Sequence, residues 1–142
     1  MVQKTVLLVD DEQGFLEALA DALEDLGYCV LKATTAEDAL NILRVERVDL
    51  VTVDIMLPPG PSLESQITSR TAGVWLCERL SRSYPQLDIF CLSVVSDEDT
   101  IRKVRSFGAR FLRKGETPLR TVLNMMESRL TGIAYSTDRP RR

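Results

Sequence analysis

The amino-acid sequence predicts an α/β fold: a doubly wound, five-stranded parallel sheet in the order 2-1-3-4-5. Three observations carry that expectation. Five short apolar runs alternate strictly with five amphipathic stretches of helical periodicity. Strict alternation implies parallel strands, which need crossover connections, and these are right-handed in nearly all proteins, with helices on both faces. The second and fifth runs hold more polar residues than the other three, which suits them to the two edges of the sheet.

The first strand is Val6-Leu7-Leu8-Val9, and Phe15, Leu16, Leu19, Leu23 and Leu26 follow at helical spacing until Gly27 closes the helix. Residues 28–33 form the second strand. Thr34 and Glu37 then make a capping box that opens a helix carrying Ala36, Ala39, Leu40 and Leu43. Residues 48–53 are a third apolar strand ending at Asp54, and a helix over residues 73–84 carries Val74, Cys77 and Leu80 before Pro85 stops it. The fourth strand spans residues 88–93. Ser96 serves as N-cap of the next helix, with acids in its first turn and Ile101, Val104 and Phe107 on one face up to Gly108. Residues 110–113 are a short polar strand; Thr117 as N-cap and Pro118 at the first helical position open a last helix bearing Leu119, Val122, Leu123, Met126 and Leu130.

Length and composition narrow the function. The 142 residues fit one domain with a full-sized core, here residues 1–130, followed by a flexible tail over 131–142. Hydrophobic residues at 44% and charged residues at 27% fit a soluble globular chain, and no apolar run approaches the ~20 residues of a membrane helix. Without a signal-peptide pattern at the N-terminus, a cytoplasmic location and no membrane partner are expected. Cys29, Cys77 and Cys91 are odd in number and set in apolar surroundings, as reduced buried thiols would be. The chain has no histidine, which removes Ser-His and Cys-His nucleophiles, most zinc sites and a phosphohistidine carrier role. A net charge of −3 makes nucleic acid an unlikely partner, although Arg102, Lys103, Arg105, Arg110, Arg113, Lys114 and Arg120 form a basic stretch.

Chemistry must then rest on carboxylates, hydroxyls and lysine. In open sheets of this kind, ligands bind outside the carboxyl ends of the strands. Asp10 and Asp11 follow the first strand and Asp54 follows the third, its neighbour in the expected order, so the three carboxylates should converge. Two carboxylates about 4 Å apart repel by roughly 4 kcal/mol at an effective dielectric of 20, and such a cluster calls for a cation. A few oxygen ligands with room for water suit Mg²⁺. Ser93 ends the fourth strand and Lys114 follows the fifth, bringing a hydroxyl and an ammonium to the same edge. Acids, hydroxyl and lysine together can hold a phosphoryl group, with Asp54 as in-line nucleophile. Taken singly, each has a plainer reading: Asp10 and Asp11 as caps, Asp54 as a strand end, Ser93 as a turn residue, Lys114 as a solvated charge.

Over about residues 4–130 the chain resembles the receiver domain of two-component response regulators, the CheY-like superfamily with its flavodoxin-like (βα)5 fold. The resemblance rests on Val9-Asp10-Asp11-Glu12, Asp54-Ile55-Met56-Leu57-Pro58, Ser93, Gly108-Ala109 and Lys114, in that order. It implies that Asp54 is phosphorylated and that Asp10 and Asp11 hold Mg²⁺ directly or through water. The Met56 carbonyl would complete the metal ligands, and Lys114 would pair with the phosphoryl oxygens. Ser93 would move toward the phosphoryl group and Phe111 would turn inward, changing the face between the fourth and fifth helices. The donor would be a histidine kinase or phosphotransfer protein, and the output an unknown downstream protein. The domain would be no enzyme beyond its own aspartyl phosphorylation and dephosphorylation, and its oligomeric state stays open.

The chain departs from the family at three places. Residues 59–72 insert a long segment beside Asp54, where a partner contact or a cover for the site is expected. Val94 follows Ser93 where the family has a small residue, so Val94, Val95 and Met56 should narrow the entrance and slow hydrolysis. Gly115 replaces the proline usual after the lysine. Two other folds fit less well: a flavodoxin would need a phosphate-cradling loop in place of Asp10-Asp11-Glu12, and an aspartate phosphatase would space its acids two apart. The rival within the family is a degenerate receiver that docks partners without phosphorylation.

Overall fold

Residues 3–67 and 71–132 are described by a computed structural model, in which the five apolar runs form one parallel sheet. The strands are β1 (Thr5–Val9), β2 (Cys29–Ala33), β3 (Leu50–Val53), β4 (Asp88–Ser93) and β5 (Arg110–Arg113), ordered β2-β1-β3-β4-β5 as expected. The helices are α1 (Gln13–Asp25), α2 (Ala36–Val45), α3 (Ala72–Ser83), α4 (Glu98–Ser106) and α5 (Leu119–Thr131).

Period-two alternation along the strands sorts their side chains onto two faces. Leu7, Val9, Val51, Val53, Ile89 and Cys91 belong to one buried cluster, with Ala39 and Leu43 of α2 and Leu76 and Leu80 of α3. Val6, Leu8, Leu50, Phe90 and Leu92 belong to the other, with Leu16, Leu19 and Leu23 of α1 and Val122 and Met126 of α5. β1 and β3 are buried almost along their whole length, whereas Cys29 to Leu31 of β2 and Phe111 to Arg113 of β5 are only half-buried. That difference follows from their edge positions. Cys77 and Cys91 are buried and free, as expected, while Cys29 is only half-buried on the edge strand.

The caps differ from the sequence expectation at three helices. Thr35, not Thr34, caps α2, its Oγ1 accepting the Asp38 amide at 3.0 Å. Both threonines have an acid three residues on, so the local pattern is degenerate. The tie is broken from outside, because the Glu37 carboxylate accepts the Ser62 amide at 2.9 Å. At α4 the cap is Asp97, one residue after Ser96; its Oδ2 takes both the Thr100 amide (2.9 Å) and hydroxyl (2.6 Å). A carboxylate accepts two donors and complements the helix dipole, which a serine hydroxyl does less well. Pro118 keeps an extended ψ of 145°, so α5 begins at Leu119 and Pro118 takes the cap position in place of Thr117. α5 also runs one residue past the expected domain limit, through Thr131, with Gly132 in the left-handed region after it; the rest of the expected tail lies outside the described residues.

The described part of the insertion lies against α2. The Ala36 and Glu37 amides donate to the Pro58 and Pro59 carbonyls at 3.1 and 2.9 Å, and residues Pro61–Leu63 form one 3-10 turn. Ile67 is buried in the core cluster and Leu63 packs against it. At the far end, the Ala72 and Gly73 amides donate to the Leu57 and Ile55 carbonyls, both at 3.1 Å. The segment that follows Asp54 is therefore closed at its base like a short loop, with the turn at Pro61–Leu63 lying against α2.

Candidate functional site

The parallel register brings the carboxyl ends of β1, β3 and β4 into line. Val9 pairs with Val53 and Val53 with Cys91, so the residues just beyond share one edge. Backbone bonds continue past the strand ends: the Asp54 amide donates to the Val9 carbonyl and the Asp10 amide to the Ala33 carbonyl, both at 3.0 Å. The Lys114 amide donates to the Ser93 carbonyl at 2.9 Å. Each chemically interesting side chain thus leaves from a backbone fixed by the sheet.

Asp10, Asp11 and Asp54 each offer one carboxylate oxygen within 4.8 Å of the others. Asp10 and Asp54 are buried and Asp11 is exposed, so the cluster opens to solvent on one side. Lys114 completes it: its Nζ donates to Asp10 Oδ2 at 2.8 Å and to Glu12 Oε1 at 3.2 Å, and stands 3.6 Å from Asp54 Oδ2. The Lys114, Asp10 and Asp54 side chains are all at most 8% exposed, so these charges meet with little screening. Asp10 Oδ1 accepts the Glu12 amide at 2.9 Å, and Asp54 Oδ1 the Met56 amide at 3.3 Å.

Electrostatics follow from this crowding. Burial pushes the Asp10 carboxyl above the ordinary aspartate value; the Lys114 hydrogen bond, the Glu12 amide and the Lys114 charge pull it down, and the Asp54 charge adds to the rise. For Lys114, burial works against the ammonium, but Asp10, Asp54 and Glu12 outweigh it and raise its pKa above the ordinary lysine value. The site therefore holds more negative charge than its one lysine neutralises, which is the electrostatic condition for taking up a cation. The thiol of Cys91, in the buried cluster between the sheet and α2 and α3, is pushed well up by its hydrogen bond with Cys77 and by burial.

Ser93 is fully buried at the end of β4, its Oγ accepting the Val95 amide at 3.3 Å. Phe111 is half-buried on β5, with the Arg105 guanidinium 5.9 Å from its ring centroid. Met56 and Val94 stand out at 42% and 64% exposure. Lys114 reaches the acids although Gly115 follows it; that glycine adopts φ +90°, in the left-handed region that favours glycine.

Three residues at the site carried no role in the sequence reading. Glu12 entered only as part of the segment Val9-Asp10-Asp11-Glu12, without a role of its own, yet it binds Lys114 at 3.2 Å. Phe15 counted as core, yet its ring centroid lies 4.6 Å from Lys114 Nζ. Gly73 counted only as a helix start, while a Cβ there would lie 2.0 Å from the Asp54 carbonyl oxygen. A glycine at the expected start of the helix next in sequence after the candidate nucleophile's strand was the one available signal.

A doubly wound sheet with three carboxylates and a lysine at its carboxyl edge defines the class of receiver-type signalling domains. The profile described as Response regulator receiver domain matches residues 6–123, and the chain belongs to that family. It is 36% identical over 101 residues to the phosphate regulon transcriptional regulatory protein PhoB of Pseudomonas aeruginosa, covering 70% of this chain and 39% of that protein. It is 33% identical over 122 residues to the response regulator GtcR of Aneurinibacillus migulanus, covering 85% of this chain and 46% of that one. The chain thus spans less than half the length of these relatives. Among solved structures, a CheY-like receiver domain protein from Methanospirillum hungatei superposes with a TM-score of 0.78 at 23% identity, over 92% of this chain and 96% of that one. A response regulator from Burkholderia pseudomallei, solved with a phosphorylated aspartic acid, calcium ion and citrate, gives 0.70 at 24% identity, over 92% and 74%. The fold is shared with both. Among the described residues, no helix is long and apolar enough to cross a membrane.

Proposed function

We propose that this receiver domain is a phosphorylation-controlled switch in which Asp54 accepts a phosphoryl group from a phosphohistidine donor in a Mg²⁺-dependent reaction. The observation that carries the reading is the placement of Lys114 Nζ against both Asp10 and Asp54 in a cluster of three carboxylates. The donor is a histidine kinase or phosphotransfer protein, and the output is a change in the surface offered to a downstream protein.

The donor set fits Mg²⁺. Ligand oxygens at about 2.0–2.1 Å from one ion lie within roughly 4.2 Å of one another, so a 4.8 Å envelope needs closing by a few tenths of an ångström or a bridging water. Asp10, Asp11, Asp54 and the Met56 carbonyl would hold the ion, which when bound neutralises phosphoryl charge as a Lewis acid. The Asp54 carboxylate attacks phosphorus in line, a P–O bond forms, and the bond from phosphorus to the donor nitrogen breaks with its electron pair going to the imidazole. Lys114 exchanges a carboxylate partner for a phosphoryl oxygen. Ser93, whose Oγ accepts the Val95 amide and whose hydroxyl hydrogen is left to donate, gives that hydrogen bond to another, and Phe111 turns inward. Docking without phosphorylation is the alternative.

Intact-mass analysis after incubation with Mg²⁺ and acetyl phosphate tests the reading. One added phosphoryl group, dependent on Mg²⁺ and absent from Asp54→Ala, is the expected result. No adduct with either acetyl phosphate or phosphohistidine donors would leave the docking module in its place.

A further inference from the structure

We infer that Phe15 is a positioning residue for Lys114: its ring face, on the first turn of α1, holds the ammonium over Asp54 when the carboxylates turn to other partners. The inference rests on the phosphoacceptor reading and deepens it.

Four groups lie around Lys114 Nζ. Three are carboxylates, Asp10 at 2.8 Å, Glu12 at 3.2 Å and Asp54 at 3.6 Å. The fourth is the Phe15 ring, 4.6 Å away at its centroid, within the range in which the negative face of an aromatic ring attracts a cation. The carboxylates are unreliable anchors during the reaction. Asp10 and Asp54 are the groups that metal and phosphoryl claim, and Glu12 is 62% exposed and free to leave. The ring competes for neither metal nor phosphoryl, so its attraction persists in the loaded state.

The backbone leaves this work to be done. Lys114 is fixed at its own amide by the Ser93 carbonyl, but Gly115 has no side chain and nothing within 4 Å of where one would stand. The lysine side chain is nevertheless only 8% exposed. The Phe15 ring lies against the ammonium end of the lysine, a contact that does not depend on the following loop. An aliphatic residue would fill the same space without attracting the charge, so the inference separates ring chemistry from packing.

The test uses the full chain with acetyl phosphate and Mg²⁺, comparing phosphorylation rates of wild type, Phe15→Leu, Phe15→Tyr, Lys114→Met and the Phe15→Leu/Lys114→Met double variant. Phe15→Leu should slow the reaction about three- to tenfold, Phe15→Tyr should stay within about twofold of wild type, and Phe15→Leu should change nothing further once Lys114 is gone. Equal slowing with and without Lys114 would mean packing alone and would overturn the assignment, as would an unslowed Phe15→Leu. A second measurement stands apart from phosphorylation: ring-current shifts of the Lys114 ε-methylene protons, read by NMR in unphosphorylated wild type and Phe15→Leu. Upfield shifts lost in the variant support the contact; identical shifts overturn it. If no variant is phosphorylated but the ring-current shift is present, the phosphoacceptor reading fails while the contact stands.

Discussion

Gly73 and Asp54 touch backbone to backbone: a methyl group on Gly73 would lie 2.0 Å from the Asp54 carbonyl oxygen and 2.6 Å from the Ile55 Cα. The first turn of α3 is therefore pressed against the segment that carries the proposed phosphoacceptor. The 14 residues between Pro58 and Gly73 do not loosen that contact, because Gly73 is also hydrogen-bonded to the Ile55 carbonyl.

Gly73→Ala should accordingly damage both stability and chemistry. The colliding atoms are backbone, which cannot rotate away, so a cost near the upper end of overpacking penalties, about 3 kcal/mol, is expected in chemical denaturation. Folded Gly73→Ala protein should also phosphorylate at least tenfold more slowly. A stable variant with unchanged rates would show that α3 does not set the position of Asp54.

Mg²⁺ should stabilise the chain, because an ion that binds only the folded carboxylate cluster shifts the folding equilibrium by mass action. At a concentration ten times Kd the gain is about 1.4 kcal/mol, a few degrees in Tm. Thermal unfolding with Mg²⁺ against a chelator should show this shift in wild type and little of it in Asp11→Ala. An equal shift in both would place the ion elsewhere.

Val94→Ala should hydrolyse its phosphoryl group several-fold faster than wild type. Val94 directly follows Ser93 and is 64% exposed; if it narrows the way to the proposed phosphoryl group, its side chain hinders the in-line water that hydrolysis needs. Removing exposed methyl groups should change stability by less than about 0.5 kcal/mol. Dephosphorylation followed by intact mass after removal of the donor decides it: equal half-lives would acquit Val94.

The hold of the insertion on α2 should weaken in acid. The Ser62 amide lowers the Glu37 carboxyl below the ordinary glutamate value of 4.5, so the contact adds stability at pH values above 4.5 and loses it as pH falls through the lowered folded value. The protection of the Ser62 amide, its exchange rate compared with the intrinsic rate at the same pH, should fall over that window in wild type, and should already be low at neutral pH in Glu37→Ala. Protection at Ser62 that ignores both pH and Glu37 would remove the carboxylate from the account.

Sheet order, the five helices and the convergence of Asp10, Asp11 and Asp54 were legible in the sequence, because each depends on local periodicity plus strong rules of strand connection. Val9 and Val53 had to end neighbouring strands, and the residues after them had to share an edge. Which threonine caps α2 was not legible, since Thr34 and Thr35 offer the same local pattern and the choice follows from a carboxylate drawn away by Ser62, 25 residues on.

The same division holds at the site. Chain order alone placed Lys114 at the correct edge; only tertiary packing decided that it sits between Asp10, Glu12, Asp54 and the face of Phe15. Likewise Gly73 reads as an ordinary helix start until α3 is laid on β3, and the insertion, read from sequence as a partner contact or a cover for the site, shows its anchor in the core only when Ile67 is placed there. Periodicity and connection rules act over a few residues and fix which elements form and how they are ordered. Contacts between residues far apart in the chain depend on shape and charge in three dimensions, and those decided where this protein's lysine, glycine and insertion lie.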